Sequence, residues 1–276
     1  MSLQQRALLL AIICVSSLCN GSTEASPGSH KGELFFYWGY NRSTYSSSDL
    51  HFQGPGYDFT LNEATAHDKP TSFSMDPYLN PARMTVPQYE ARIGFYISER
   101  TNISLGMTHM KYVLTQNQGA TISGTIGESA SEDFAGDYDN TVVQMNSDFL
   151  KFEHTDGLNY GNVEIETMVP AWENSSQTRG LYVTAALGVG IVTPKTDVTL
   201  FGQERSDQLS LAGYGINTKV GLKFEFLTRF FLHYFISVGW MDLSGIPTKE
   251  GGQDTAEQSL FFGENALVGG LSVYTF

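Results

Sequence analysis

Hydrophobic and polar residues alternate with a period of two along several long stretches, a pattern typical of β-strands with two different faces. In the clearest stretch, Gly213–Phe226, the even positions are mostly bulky and apolar, whereas the odd positions are small, polar or charged. Comparable patterns predict strands at residues 89–97, 181–191 and 230–240, and weaker ones at 33–42, 101–114, 158–168 and 260–276. The pattern therefore predicts an all-β chain of eight strands.

The predicted connections alternate between short and long. Three are tight, at residues 98–100, 170–179 and 227–229, and four are long, at residues 43–86, 116–156, 193–207 and 242–259. Short periplasmic turns and long extracellular loops are typical of bacterial outer-membrane barrels, whose strand number is even. We therefore expect an eight-stranded antiparallel transmembrane β-barrel in the cell outer membrane, with both termini on the periplasmic side.

A soluble eight-stranded barrel such as a lipocalin would show the same alternation with its apolar face turned inward. The small face separates the two classes, because the lumen of an eight-stranded membrane barrel is narrow and holds only side chains. Small residues of this face are Gly188, Gly190, Gly213, Gly215 and Gly221. Strands of ten or more residues also fit the length of a tilted transmembrane strand. Both features favour the membrane barrel.

Composition excludes several other classes. The 276 residues include only 16% charged residues but 13% aromatic residues, which argues against a disordered chain. The net charge of −13 disfavours association with nucleic acids. Aromatic residues cluster at the ends of the predicted strands, as in the interfacial girdles of membrane barrels.

The first 25 residues have the layout of a secretory signal peptide. Arg6 precedes an apolar run at residues 7–15, and mostly small or polar residues follow up to residue 25. We therefore expect cleavage of residues 1–25 and a single barrel domain at residues 26–276. Cys14 and Cys19 both lie in the segment to be removed. A lipid anchor at Cys19 is the weaker alternative, because Leu18 occupies a position where processing requires a small residue.

The last residues, Tyr274-Thr275-Phe276, resemble the terminal motif of outer-membrane barrels, a final Phe with an aromatic residue two positions earlier. The resemblance implies recognition of the Phe276 terminus by the barrel-assembly machinery. Alternation in this strand is imperfect, because Leu267, Leu271 and Val273 have the opposite parity to Phe276.

The face opposite the apolar one carries charged residues of both signs. Buried charges cost several kcal/mol each unless they are paired, so this set predicts an ion-pair network that plugs the lumen. A proton or ion path is the alternative, and free passage of nutrients would need a barrel of about 16 strands. The predicted lumen set is Glu33, Glu90, Arg92, Glu164, Glu166, Lys219, Lys223, Glu225 and His233.

An enzyme of the outer membrane is a second hypothesis, with a lipid A deacylase as the example. A hydrolase needs a nucleophile activated by a base, and the deacylase family carries them as His-x-Ser. No histidine of this chain has Ser two positions away, and no Gly-x-Ser-x-Gly motif occurs. His67, His109 and His154 are the candidate catalytic residues, although His109 also fits an interfacial polar position. We expect no cofactor and no metal site.

The long loops are the remaining place for function, because loops on a rigid scaffold often carry it. Period-two stretches inside the first loop predict strands that continue above the membrane as an ordered extracellular cap. Acidic residues of the second loop lack the spacing of a calcium loop, so they indicate a solvated surface.

Several short motifs together are similar to a functionally uncharacterised family of outer-membrane β-barrel proteins from Bacteroidota and related marine bacteria. The motifs lie at residues 57–61, 66–70, 76–81, 109–113 and 152–160. This resemblance implies the barrel and its compartment but transfers no catalytic residue.

The resulting prediction is a monomeric outer-membrane barrel with a plugged, charged lumen and a role in interaction or envelope integrity. Its expected partners are outer-membrane lipid, lipopolysaccharide and an extracellular protein or glycan at the loops. A lipid A-modifying enzyme and a narrow small-solute pore remain the alternatives.

Overall fold

The computed structural model describes residues 30–80, 82–176, 178–227, 229–249 and 251–274. The predicted signal peptide and Phe276 lie outside these residues. The strands are β1 (Glu33–Tyr45), β2 (Ser48–Gly54), β3 (Tyr57–Ala64), β4 (Ala66–His67), β5 (Tyr89–Tyr96), β6 (Thr101–Leu114), β7 (Gly119–Ile126), β8 (Gly136–Gln144), β9 (Leu150–Glu173), β10 (Gly180–Leu200), β11 (Gln203–Leu209), β12 (Gly213–Phe226), β13 (Phe230–Pro247) and β14 (Thr255–Tyr274). A short helix, α1 (Met75–Tyr78), precedes β5. Within the described ranges, no helix is both long and apolar enough to cross a membrane.

Eight of the strands form a closed ring. Their order is β1-β5-β6-β9-β10-β12-β13-β14, and β14 pairs with β1 from Tyr274 opposite Glu33 to Phe262 opposite Tyr45. Every pairing around the ring is antiparallel. The eight-stranded antiparallel barrel predicted from the alternation is therefore confirmed.

The two faces of the ring have the chemistry of a membrane barrel. Outward side chains are apolar and exposed, and Leu105 and Ile236 are 60% and 55% exposed. Inward side chains include buried charged groups such as Glu90 and Lys219. A lipocalin would have these faces reversed. Leu267 and Leu271 of β14 also point outward, and the even-numbered residues of that strand are the buried ones, so its outward face is the odd-numbered one.

The long connections are shorter than predicted because their flanking strands extend beyond the membrane barrel. β9 runs from Leu150 to Glu173 and β10 from Gly180 to Leu200. Residues 193–200, predicted as part of a long connection, and residues 170–173, predicted as part of a tight one, are therefore strand. The rest of the long connections contains β2, β3, β4, β7, β8 and β11, and the order β14-β2-β3-β7-β8 extends the sheet away from the ring.

These extra strands and the distal ends of the barrel strands form one structure, which we call the cap. It includes β2, β3, β4, β7, β8 and β11 with residues 110–114, 150–158, 192–200, 241–247 and 255–260. The cap has a hydrophobic core in which Phe52, Phe59, Phe152, Leu200 and Leu243 are at most 1% exposed. Burying each such side chain contributes about 1.5–3 kcal/mol, so the cap is packed as a folded unit rather than as loops.

Candidate functional site

Two carboxylates and two cations meet in the middle of the lumen. Glu90 and Arg92 lie on β5, Glu164 on β9 and Lys219 on β12, all with inward parity and at most 3% exposed. Nζ of Lys219 lies 2.9 Å from Oε1 of Glu90 and 3.0 Å from Oε2 of Glu164. Nη2 of Arg92 lies 3.2 Å from Oε1 of Glu90 and 3.1 Å from Oε1 of Glu164. Each cation therefore bridges both carboxylates, and the four formal charges cancel.

Glycine residues provide the space that this cluster occupies. Gly106 faces Arg92 across the β5–β6 pairing, and a Cβ atom there would lie 2.4 Å from Cζ of the guanidinium. A Cβ at Gly188 would lie 2.6 Å from Cγ of Glu164. The small residues of the inward face thus make room for long charged side chains from neighbouring strands.

Neutral polar side chains complete the hydrogen bonding of the cluster. Oγ1 of Thr108 donates to Glu90 at 2.5 Å, and Nδ2 of Asn217 donates to Glu164 at 2.8 Å. Arg92 donates to Asn162 at 2.7 Å and to the hydroxyl of Tyr37 at 3.0 Å. These neutral groups were not predicted because they carry no charge, although the parity of the strands places them on the inward face.

Glu264 is a sixth carboxyl group of the lumen, in addition to the five that were predicted. It lies on β14 with 4% exposure, and Oε1 has no hydrogen-bond partner. Among the described residues no ion pair reaches it within 4 Å. The parity of β14 could have identified it, but the weak alternation of that strand obscured which face is inward.

A second charged group lies at the short-turn end. Lys223 is 2.8 Å from Oε1 of Glu225 and donates to the hydroxyl of Tyr96 at 2.8 Å. His30, which precedes β1, lies 3.0 Å from Glu33 and 3.3 Å from Glu225. This group brings Glu33, Lys223 and Glu225 together, and sequence analysis missed His30 because it lies outside the alternating stretch.

The other two predicted lumen residues stand apart from both clusters. Glu166 is half-buried and accepts a hydrogen bond from Asn102 at 3.2 Å. His233 is 2% exposed, and Nε2 lies 2.9 Å from Oγ1 of Thr184. The predicted set therefore falls into two clusters and two separate residues rather than one network.

Aromatic side chains fill the lumen between the charged clusters and the two ends. Near the short turns, Phe35 packs against Tyr96 and Phe231 at centroid distances of 5.6 and 6.4 Å. Near the cap, Tyr160 meets Phe262 edge to face at 6.1 Å. Tyr160 and Phe262 belong to the hydrophobic core of the cap, so that core continues into the barrel.

The structure does not bring the three candidate histidines together. His109 points outward, stacks on Tyr89 at 5.0 Å and lies 2.7 Å from Oδ1 of Asn159. His67 is exposed on the cap and lies 3.3 Å from Oγ1 of Thr115. Among the described residues, no carboxylate lies within hydrogen-bond distance of either histidine or of His154.

His154 is enclosed in the cap core with no exposed surface. Nδ1 lies 3.1 Å from Oγ1 of Thr196, while Nε2 has no partner. Burial among Tyr112 and Phe152 lowers the pKa of His154 to about 3. A neutral imidazole sealed from solvent cannot exchange protons with a substrate in this conformation.

A buried ion pair ties β11 to the far side of the cap. Nη1 of Arg205 lies 2.7 Å from Oδ1 of Asp254, and the hydroxyl of Tyr57 donates to the same oxygen at 2.7 Å. Burial, followed by the hydrogen bond to Asp254, raises the pKa of Tyr57 to about 12. The described residues contain no group of three His, Cys, Asp or Glu side chains placed to hold a metal ion.

Comparison with known proteins finds likeness only in architecture. No protein family matches the sequence, and no curated protein matches it. Among solved structures, OprG from Pseudomonas aeruginosa is 7% identical with a TM-score of 0.41, over 90% of this chain and 99% of that chain. Neisserial surface protein A is 9% identical with a TM-score of 0.36, over 87% and 97%. Ail from Yersinia pestis is 10% identical with a TM-score of 0.33, over 88% and 99%.

At these identities and TM-scores, no property of those proteins is carried over to this chain. The location follows from the barrel itself. A closed antiparallel ring with an even strand number, an apolar exterior and a polar interior is the architecture of outer-membrane proteins. This chain is therefore a protein of the cell outer membrane.

Proposed function

We propose that this barrel is plugged and that its cap is an extracellular platform, which either binds a protein or glycan partner or supports the integrity of the envelope. The observation that carries the proposal is the core of the cap, which is built on the barrel strands and continues into the lumen through Tyr160 and Phe262. With the interior occupied, the outer surface of the cap is the part left to meet a partner.

The packing of the lumen supports the plug. A solute would have to displace the aromatic cluster around Phe35, the Glu90–Arg92–Glu164–Lys219 cluster and the cap core in succession. Separating a buried ion pair costs about 3–5 kcal/mol, and removing packed aromatic side chains costs a similar amount each. Conduction therefore needs the rearrangement of three layers.

The edge strand β8 is the part of the cap best suited to contact a partner. Among the described strands, β7 is its single pairing partner, and β8 ends the sheet order. Val142 is 72% exposed on it, and Asp137 and Asp139 are exposed nearby. A free edge can accept an extended segment by adding a strand. Asn140, with φ +47°, interrupts the ladder, which leaves residues 141–144 as the accessible edge.

Recording from planar bilayers tests the plug. The full-length protein should insert without discrete conductance steps, and so should Lys69→Met, a control at an exposed lysine that follows β4. Regular conductance steps in the wild-type protein would contradict the plug and favour the small-solute pore.

A barrier assay tests the role of the cap. Cells that lack the protein should take up a large antibiotic faster, and the wild-type protein should restore the barrier. Val142→Lys should fail to restore it because a lysine blocks edge pairing, whereas Leu209→Lys, at a 66% exposed position of β11, should restore it. Equal restoration by both variants would exclude the β8 edge as the contact.

Three narrower points remain proposals. They are membership of the Bacteroidota barrel family, recognition of Phe276 by the assembly machinery, and a monomeric state. No observation on the described residues favours the lipid A-modifying enzyme over the platform.

A further inference from the structure

The segment between β4 and β5 folds back along the outside of the barrel. The hydroxyl of Tyr40 on β1 donates to the carbonyl of Tyr78, and the two rings meet edge to face at 4.7 Å. Nη2 of Arg42 donates to the hydroxyl of Tyr78 at 3.0 Å. Phe73 and Leu79 of this segment are 78% and 66% exposed. The part of this segment around Tyr78, with exposed Phe73 and Leu79 on either side, is thus held against the outward face of β1.

A groove of about 430 Å³ lies between this segment and the barrel wall. Trp38, Leu79, Met84, Leu232 and Leu267 line it, and the outward-facing Gly269 belongs to its floor. Because glycine has no side chain, the groove is open where a leucine would fill it. Its size and lining fit an acyl chain.

Polar groups follow directly along the same two strands. Arg42 of β1 pairs in register with Asn265 of β14, and the next outward pair is Thr44 with Gly263. Arg42 donates to the carbonyl of Asn41 and to Tyr78, and it forms no ion pair within 4 Å among the described residues. With N–H donors left over from these two hydrogen bonds, the guanidinium of Arg42 is complementary to a phosphate group.

A second depression, of about 300 Å³, lies beyond the polar pair. Ser46, Asp49, Glu63, Trp240 and Ser259 line it. Hydroxyl and carboxylate oxygens accept hydrogen bonds from sugar hydroxyls, and the Trp240 ring offers an apolar face. The carboxylates repel a second phosphate, so this depression suits a neutral sugar.

The groove, Arg42 and the second depression follow one another along the paired strands β1 and β14, which we call the β1–β14 seam. Outward positions of β14 run from Gly269 through Asn265 to Ser259. At about 3.4 Å per residue, these ten steps span about 34 Å, the scale of an acyl chain together with its headgroup. We propose that this seam binds a phosphorylated glycolipid of the surrounding membrane, with an acyl chain in the groove, the phosphate at Arg42 and the sugar beside Trp240.

The groove and Arg42 lie on the outward face of the barrel, and only the sugar site includes residues of the cap, among them Asp49, Glu63 and Ser259, so lipid binding does not depend on a partner of the cap. The test is a titration of the folded full-length protein in detergent, followed by native mass spectrometry. The probes are a monophosphorylated acyl-glucosamine disaccharide, the same lipid without its phosphate, and phosphatidylglycerol. Wild-type protein should bind the phosphorylated glycolipid one to one and about tenfold more tightly than either comparison lipid, the scale of one charge-assisted hydrogen bond.

Two variants address the groove and the phosphate separately. Gly269→Leu should weaken binding of the phosphorylated glycolipid about tenfold or more by filling the groove, and the new Cβ lies at an ordinary 3.7 Å from Leu232. Arg42→Gln should abolish the preference for phosphate. Gly161→Leu is the matched control, because Gly161 has similar space at 3.7 Å from Met107, and Arg179→Gln at a distant turn is the charge control.

Both controls should bind as the wild-type protein does. Unchanged binding by Gly269→Leu, or an undiminished phosphate preference in Arg42→Gln, would overturn the proposal. Equal binding of phosphatidylglycerol by the wild-type protein would overturn the assignment of a glycolipid. Heat-modifiable mobility on gels verifies that each variant is a folded barrel, and that readout does not depend on any partner of the cap.

Discussion

Replacement of Lys219 by Met should destabilise the barrel by about 3 kcal/mol. The ammonium group lies 2.9 Å from Glu90 and 3.0 Å from Glu164 and is only 3% exposed. After its removal, two buried carboxylates share Arg92 alone, at 3.2 and 3.1 Å. The cost is therefore that of an uncompensated buried charge, which exceeds the value of an exposed ion pair several-fold.

Reversible urea unfolding in lipid vesicles, followed by tryptophan fluorescence, measures this effect. With a slope of about 2–3 kcal/mol per molar urea, the midpoint should fall by about 1 M. Lys69→Met is the matched control, because Lys69 is 58% exposed and lies 3.4 Å from Glu153, and it should change stability by less than about 1 kcal/mol.

A second substitution tests the mechanism itself. Adding Glu164→Gln to Lys219→Met removes one of the two carboxylates that Lys219 had paired with. The double variant should therefore lose less unfolding free energy than the sum of the losses in the two single variants. A midpoint for Lys219→Met within error of that of Lys69→Met would refute the reasoning and show that Lys219 is in contact with water.

Three further predictions follow. Gly106→Ala should destabilise the barrel in the same urea assay because its Cβ would lie 2.4 Å from Arg92, whereas Gly119→Ala, with its nearest contact at 3.8 Å, should have little effect; equal effects would mean that the guanidinium relaxes freely. The pKa of His154 lies at about 3 in the folded cap, below its unfolded value of about 6.5, so its contribution to stability is present above pH 6.5 and is lost as the pH falls toward 3. Hydrogen exchange of β9 measures the stability of the cap. Between pH 8 and pH 5, this stability should fall by about 2 kcal/mol more in the wild-type protein than in His154→Gln. Parallel pH profiles of the two proteins would contradict this. Mass spectra of lipid A from membranes with and without the protein should be the same, and a change of one acyl chain would reopen the enzyme hypothesis at His67, His109 and His154.

The ring was predictable because its strands have two unlike faces. In β12 the parity of Tyr214 and Leu222 separates cleanly from that of Lys219 and Lys223, and lipid on one side with a packed lumen on the other enforces that separation. The same parity placed Glu90, Arg92 and Glu164 on the inner face. Their mutual distances required the register between strands that are distant in sequence.

The cap was harder to predict because its strands are short and irregular. In β7, Ala120 and Ile122 are buried, but the pairing with β8 shifts between Ile122 and Gly124. Such a bulge interrupts the period of two, so the stretch looks like a loop. Glu264 was not predicted because the alternation of β14 is weak. His30 was not predicted because it lies outside any alternating stretch.

β14 connects the barrel to the cap by pairing with three strands. Its residues pair with β13 along most of its length, with β1 from Tyr274 to Phe262, and with β2 from Thr255 to Gln258. β14 thus supplies both the closure of the ring and the attachment of the β2–β3 hairpin. β1 also pairs with β5 and β2 with β3, but their pairings with β14 join residues more than 200 positions apart, a costly and slow type of contact to form. Membrane closure and cap assembly consequently become a single late folding event, and a chain shortened before β14 would lose both together.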